Sequence, residues 1–128
     1  MVTQNEIKQQ ETGMKNKFKK LNLSPAEQAA LSELIGELKK KWPQTQCRLF
    51  GSKVTGSADA ESDLDLLIEL PVPVTEEIRR RIIHRTFDIN LAHDSNISVL
   101  IVSKQEWEDG LITVLPIHAS VENEGIAL

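Results

Sequence analysis

The feature that most constrains the fold of this 128-residue chain is a Gly-Ser pair followed, after ten residues, by Asp-x-Asp. The pair, Gly51-Ser52, ends the short run 47–50, and the acidic sequence opens a mainly apolar run over 63–70. Runs of this length, bounded by turn residues, predict two strands. The small polar residues 53–62 between them predict a turn or a short helix.

Helix and strand signals alternate along the rest of the chain. Ser24-Pro25-Ala26-Glu27 predicts a helix start, with serine as N-cap, proline at N1 and glutamate completing a capping box. The expected elements are a helix from this cap to Lys41, a helix from Thr75 to His93 with Ile78, Ile82, Ile83 and Leu91 on one side, a strand over Ile97–Val102, a short helix capped by Ser103 and carrying Trp107, and one further helical turn in 116–128. This order predicts an α/β (α+β) fold, a small mixed sheet with helices packed on it.

Composition narrows the classes of function. The length fits a single domain, for which we expect boundaries at 23–128 and a helix or arm over 1–22. A net charge of −4 argues against direct DNA binding, because no global basic field exists. The one cysteine, Cys47, excludes an internal disulfide and is typical of a reducing compartment, so the cytoplasm is the expected location. No apolar run reaches the roughly 18 residues of a membrane span.

The central motif carries chemistry that its parts do not carry separately. Residues two apart in a strand point the same way, so Asp63 and Asp65 share a face. A bare pair of this kind is more often a solvated strand edge. Gly51 changes that expectation, because glycine lets a backbone approach a phosphate closely. Ser52 adds a hydroxyl and Lys53 a positive charge, so phosphate donors precede two carboxylates that can hold a divalent cation.

Residues 49–68 resemble the signature of the polymerase beta-like nucleotidyltransferase superfamily. Within it, the chain is most similar to the minimal nucleotidyltransferases, small single-domain proteins often paired as antitoxins with HEPN-domain toxins. The resemblance rests on Gly51-Ser52, the ten-residue spacer and Asp63-x-Asp65, with Gly56, Ser62 and Leu66 also at expected positions. It implies that residues 23–128 form a minimal nucleotidyltransferase domain.

The resemblance also implies a reaction. Asp63 and Asp65 would bind two Mg²⁺ ions and serve as the catalytic carboxylates. Gly51, Ser52 and Lys53 would bind the nucleotide, with Ser52 and Lys53 on the β- and γ-phosphates. A nucleoside monophosphate, AMP when the donor is ATP, would pass from an NTP to a hydroxyl of a protein or small molecule. The implied protein partner is a HEPN-type toxin, and a homo-oligomer stays open.

The sequence departs from this family at the next core strand, where a third carboxylate is usual. Ser98 occupies the expected position, and the nearest acids in sequence are Asp88, Asp94 and Glu69. Glu69 shares the face of Asp65 but lies about 13 Å along the strand, so we expect a solvated side chain there. The alternative function is therefore a catalytically degenerate binding module that neutralises its partner by contact.

A basic stretch on the helix that begins at Thr75 is the remaining candidate. It contains Arg79, Arg80, Arg81 and Arg85. Such a run can contact a phosphate-rich acceptor or an acidic partner, although a solvated helix face is the commoner arrangement.

Overall fold

The computed structural model describes residues 13, 18, 20–56 and 63–128. The predicted arm over 1–22 lies mostly outside these residues. The described elements, in chain order, are α1 (Pro25–Lys41), β1 (Gln46–Phe50), α2 (Ser52–Thr55), β2 (Leu64–Leu70), α3 (Glu76–His93), β3 (Ile97–Ser103), α4 (Lys104–Asp109), a 3₁₀ helix (Leu111–Val114), α5 (Pro116–Glu124) and β4 (Ile126–Ala127). The predicted α/β class is confirmed.

The four described strands form one mixed sheet in the order β3-β2-β1-β4. β1 is antiparallel to both β2 and β4, whereas β2 and β3 are parallel. Parallel neighbours need a crossover connection, which α3 supplies. β2 is therefore a central strand, with a hydrogen-bonded strand on each side. This position helps to explain why six of its seven residues are buried.

One face of the sheet holds the main core, against α1 and α3. The predicted capping box at α1 is present: Ser24 Oγ accepts from Glu27 N–H at 3.1 Å, and Glu27 Oε1 accepts from Ser24 N–H at 3.0 Å. Thr75 caps α3 as predicted. The predicted apolar side of α3 is wrong in part, because Ile83 and Leu91 are 50% and 69% exposed.

On the opposite face of the sheet, the described helices cover only part of the length of the strands. Trp107 of α4 and Val121 of α5 pack there on Leu67 and Val102. The edge strand β4, which the sequence did not predict, pairs with β1 through Arg48–Ala127 and Leu49–Ile126. Within the described residues, no helix is both long enough and apolar enough to cross a membrane.

Candidate active site

The Gly-Ser turn and the second aspartate meet at one end of the sheet. Gly51 follows β1, and Phe50 pairs in register with Asp65 on antiparallel β2. Gly51 has φ +83° and ψ −162°, a region that essentially only glycine occupies. A Cβ added to Gly51 would clash with Asp65 Oδ2. Glycine is thus required here twice, by its backbone conformation and by the carboxylate lying against it.

Asp63 lies just before β2 and is exposed, whereas Asp65 is partly buried. The Nδ2 amide of Asn96 donates a hydrogen bond to Asp63 Oδ1. The backbone carbonyl of Asn96 also accepts from Leu64 N–H at 2.9 Å, so Asn96 holds both the side chain of Asp63 and the residue that follows it. The sequence reasoning did not single out Asn96, and its only signal was its place immediately before β3.

Ser98 occupies the position predicted for it. In the parallel pair, Asp65 is the register partner of Ser98, so Phe50, Asp65 and Ser98 form one row across three strands. Neighbouring strands lie about 4.8 Å apart, and register partners on them point the same way. A carboxylate at Ser98 would therefore stand beside Asp65, and in this chain an exposed hydroxyl stands there.

Lys53 is already paired in this structure. Its Nζ lies 3.4 Å from Glu27 Oε2, and the two side chains are only 14% and 16% exposed. Glu27 is also the capping residue of α1, so the ion pair ties α2 to the start of α1. Phosphate binding by Lys53 stays a prediction, and it requires the ammonium to share or leave this partner.

The electrostatics of the two aspartates suit a cation. Burial, and then the nearby charge of Asp63, raise the pKa of Asp65 above its ordinary value. A cation between the two carboxylates would offset both effects. Within the described ranges, no three His, Cys, Asp or Glu side chains converge as a metal site. Two carboxylates nevertheless fit Mg²⁺, which usually keeps several waters and takes further oxygens from substrate phosphates.

The prediction of a solvated side chain at Glu69 is wrong, because Glu69 is only 5% exposed. Arg48 lies beside it on β1, with Nη2 3.6 Å from Glu69 Oε2 and 3.2 Å from Glu122 Oε1. Trp107 Nε1 donates to Glu122 Oε1 at 2.5 Å. Burial raises the pKa of Glu69, and the charge of Arg48 opposes that rise. The covering helices α4 and α5, which sequence periodicity does not place, account for the difference.

Three of the four arginines of α3 contact their own chain. Arg79 donates to the Ile101 carbonyl at 3.2 Å, Arg81 pairs with Glu77 at 2.8 Å, and Arg85 contacts acids of α1. The functional interpretation of the whole run as an acceptor-binding surface therefore loses support, leaving Arg80 as the exposed member without such a contact among the described residues.

Asp88 and Asp94, the two other acids named from the sequence, lie on α3 and at its end, and neither belongs to the row Phe50–Asp65–Ser98. Asp88 is on exposed α3, 3.8 Å from His84, and Asp94 is the left-handed C-cap of that helix. A cleft of about 600 Å³ lies at the opposite end of β2 and β3, lined by residues 71–74, 103–106 and 109–110. It contains none of the predicted site residues.

The chain matches a protein-family model and is similar to a solved structure. A family model described as "Nucleotidyltransferase domain" matches residues 31–126, which include the Gly-Ser turn and both aspartates. None of the curated proteins matches the chain. A solved structure described as "Crystal structure of the toxin-antitoxin with AMP-PNP" is 19% identical, with a TM-score of 0.48, over 75% of this chain and 70% of that chain.

Proposed function

Because this chain belongs to the nucleotidyltransferase domain family, we propose that it transfers a nucleoside monophosphate from an NTP to a hydroxyl acceptor. The observation that carries the proposal is the contact of Asp65 with Gly51. It joins the phosphate-binding turn and a metal-binding carboxylate, which lie 14 positions apart in sequence, into one donor site.

Each residue of this donor site has a separate role. Gly51 leaves room for the triphosphate and for Asp65, and Ser52 and Lys53 hold the β- and γ-phosphates. Asp63 and Asp65 would hold Mg²⁺, which when bound supplies positive charge against the triphosphate and the leaving pyrophosphate. Asn96 orients Asp63 through its side-chain amide. The acceptor oxygen forms a bond to the α-phosphorus, and the bond from the α-phosphorus to the oxygen that bridges it to the β-phosphorus breaks. Pyrophosphate leaves, and the hydroxyl proton of the acceptor is lost to water.

The finer parts of the proposal rest on the resemblance of residues 49–68 to minimal nucleotidyltransferases. They are ATP as donor, AMP as the transferred group, a HEPN-type toxin as protein acceptor, an antitoxin role, and cytoplasmic location. The domain boundaries 1–22 and 23–128 belong to the same proposal.

The test combines binding and transfer. ATP labelled at the α-phosphate is incubated with Mg²⁺, the protein and a HEPN-type partner, and label on the partner is counted. Calorimetric titration of ATP with Mg²⁺ into the protein measures the donor site without any acceptor. We expect Asp63→Asn and Asp65→Asn to lower transfer roughly 10²- to 10³-fold, the effect of removing one preorganised electrostatic group. Asp88→Asn, on exposed α3, is the matched control and should transfer like the wild type.

Equal labelling by the wild type and both aspartate variants would contradict the proposal. Retained ATP binding without transfer would instead support the second candidate, a module that neutralises its partner by contact. Ser98 beside Asp65 favours that candidate, because no carboxylate of β3 is there to take the acceptor proton. Under it, Asp63→Asn keeps full neutralisation of the toxin; loss of neutralisation with intact partner binding would reject it.

A further inference from the structure

The outward side of α3 carries an apolar stripe that nothing in the described chain covers. Its members are Ile83, Phe87 and Leu91, which are 50%, 61% and 69% exposed. They recur every four residues and so lie on one side of the helix. The buried residues of α3 are Ile82, Thr86 and Ile89, and the two isoleucines pack in the main core. The helix is therefore apolar on two sides, of which the fold uses only one.

Opposite charges stand at the two ends of this stripe. Arg80 and Asp94 each lie seven residues from Phe87, one before it and one after it. Seven residues are about two helical turns, so Arg80 lies in line with the stripe, and Asp94 is the C-cap at the other end of the helix. Within the described part of the chain, neither side chain has an ion-pair partner, whereas neighbouring Arg81 and Arg85 both have one.

We propose that α3 pairs with α3 of a second copy, antiparallel, about a twofold axis at Phe87. Each Ile83 then faces Leu91 of the second copy, and each Arg80 faces its Asp94. The arrangement is isologous, since the same patch serves both protomers and every contact occurs twice. Phe87 meets its own counterpart on the axis, where aromatic side chains contribute most to binding.

The pattern of charge selects a second copy in this orientation. A parallel pairing would set Arg80 against Arg80 and Asp94 against Asp94, and like charges in contact are unfavourable. The antiparallel pairing turns both ends into opposite-charge contacts. α3 packs on the sheet face opposite to the Asp65 carboxylate, so this dimer leaves the candidate active site open. The inference is thus independent of the proposed function.

The test is sedimentation equilibrium of the full chain over roughly 5 to 500 µM, because a single helix pair is a small interface and the dimer is expected to be weak. Phe87→Asp should raise the dimer dissociation constant at least about tenfold. Leu111→Asp is the matched control. It places the same charge on an 89% exposed leucine of the 3₁₀ helix and should leave dimerisation unchanged. Circular dichroism checks that each variant is folded.

Charge reversal tests the orientation. Arg80→Asp and Asp94→Arg alone each create two like-charge contacts per dimer and should weaken it. The double variant should dimerise more strongly than Asp94→Arg alone, and both carry the same backbone strain at the left-handed position 94. A wild type that stays monomeric over the whole concentration range overturns the proposal. This holds also if α3 of that monomer binds an unrelated protein. A dimer that Phe87→Asp leaves intact also overturns it, as does one that the double variant does not restore.

Discussion

Asp65 and Glu69 stand on the same strand and the same face of the sheet, yet their surroundings are opposite. Asp65 lies beside a glycine turn and an exposed serine, and no cation of the described chain pairs with it. Glu69 is 5% exposed, under α4 and α5, and pairs with Arg48. Burial raises the pKa of both carboxyls. Glu69 is thus held by its own arginine as part of the structure, whereas Asp65 has no such partner in the described chain, which agrees with the Mg²⁺ role proposed for it.

Removing the arginine should be the most damaging change to stability. Arg48→Met keeps the apolar part of the side chain but leaves Glu69 buried without a cation. Breaking a pair of this kind costs about 3 kcal/mol or more of the free energy of unfolding. Urea denaturation measures the loss. Arg81→Met, which removes an exposed i,i+4 pair with Glu77, is the control and should cost about 0.5 kcal/mol or less. Similar losses in the two variants would show that Glu69 is not held by Arg48.

A single methyl group at Gly51 should block the proposed donor site. Gly51→Ala places a Cβ against Asp65 Oδ2 in a backbone conformation that costs roughly 1 to 3 kcal/mol for any other residue. We expect ATP·Mg²⁺ binding and transfer to be lost along with that stability. Gly56→Ala is a close control, because Gly56 has φ +80° but no atom of the described residues lies within 4 Å of an added Cβ. It should lose about 1 kcal/mol and keep nucleotide binding.

If both alanine variants bind nucleotide equally well, the contact between Gly51 and Asp65 is not part of the donor site. Calorimetric titration with ATP and Mg²⁺ decides this without any acceptor, and thermal unfolding separates the loss of binding from the loss of stability.

The buried carboxylate should also leave a signature in the pH dependence of stability. The pKa of Glu69 is higher in the folded chain than the ordinary 4.5, so the folded state holds this proton more tightly than the unfolded state. The stability that Glu69 contributes therefore grows as pH falls through its raised pKa towards 4.5, and it is lost again as pH rises. Glu69→Gln removes this titration.

Urea denaturation of the wild type and Glu69→Gln between pH 7 and about pH 4.5 measures the difference. We expect the wild type to gain stability relative to the variant as pH falls, by at most about 1.4 kcal/mol per pH unit. Glu77→Gln, at an exposed acid of α3, is the control and should show a smaller pH-dependent difference. A constant difference between wild type and Glu69→Gln would show that burial does not perturb this carboxyl.

Local signals in the sequence were sufficient to predict where the helices begin. Ser24 with Glu27 and Ser103 with Glu106 form capping boxes from residues three apart, so their hydrogen bonds depend on local sequence alone. The position of Ser98 was expected from the family resemblance, which puts a third carboxylate on the next core strand, and the register places Ser98 beside Asp65.

The environment of Glu69 and the outer side of α3 depended on tertiary packing and could not be predicted in the same way. The two-residue repeat of a strand placed Glu69 on the correct face of the sheet. The packing of Trp107 and Val121 then excludes solvent from that end of the face, which the repeat does not predict. Ile83 and Leu91 are apolar, yet they are not on the side of α3 that packs on the sheet and are therefore exposed. The two-residue strand β4 pairs with β1 over too short a length for any pattern to reveal it.

The smallest expected change in stability concerns the row Phe50–Asp65–Ser98. Ser98→Asp adds a third carboxylate beside Asp65, so without metal it should cost about 0.5 kcal/mol through like-charge repulsion across the strands. With Mg²⁺ the sign should reverse, because a third oxygen ligand tightens the ion and binding to the folded state stabilises it. Thermal unfolding with and without Mg²⁺ measures this, and Ser98→Asn is the uncharged control. If both variants respond equally to Mg²⁺, the carboxylate at position 98 does not contact the ion; a larger response of Ser98→Asp, with faster transfer, would assign the missing acceptor-side acid to this one position.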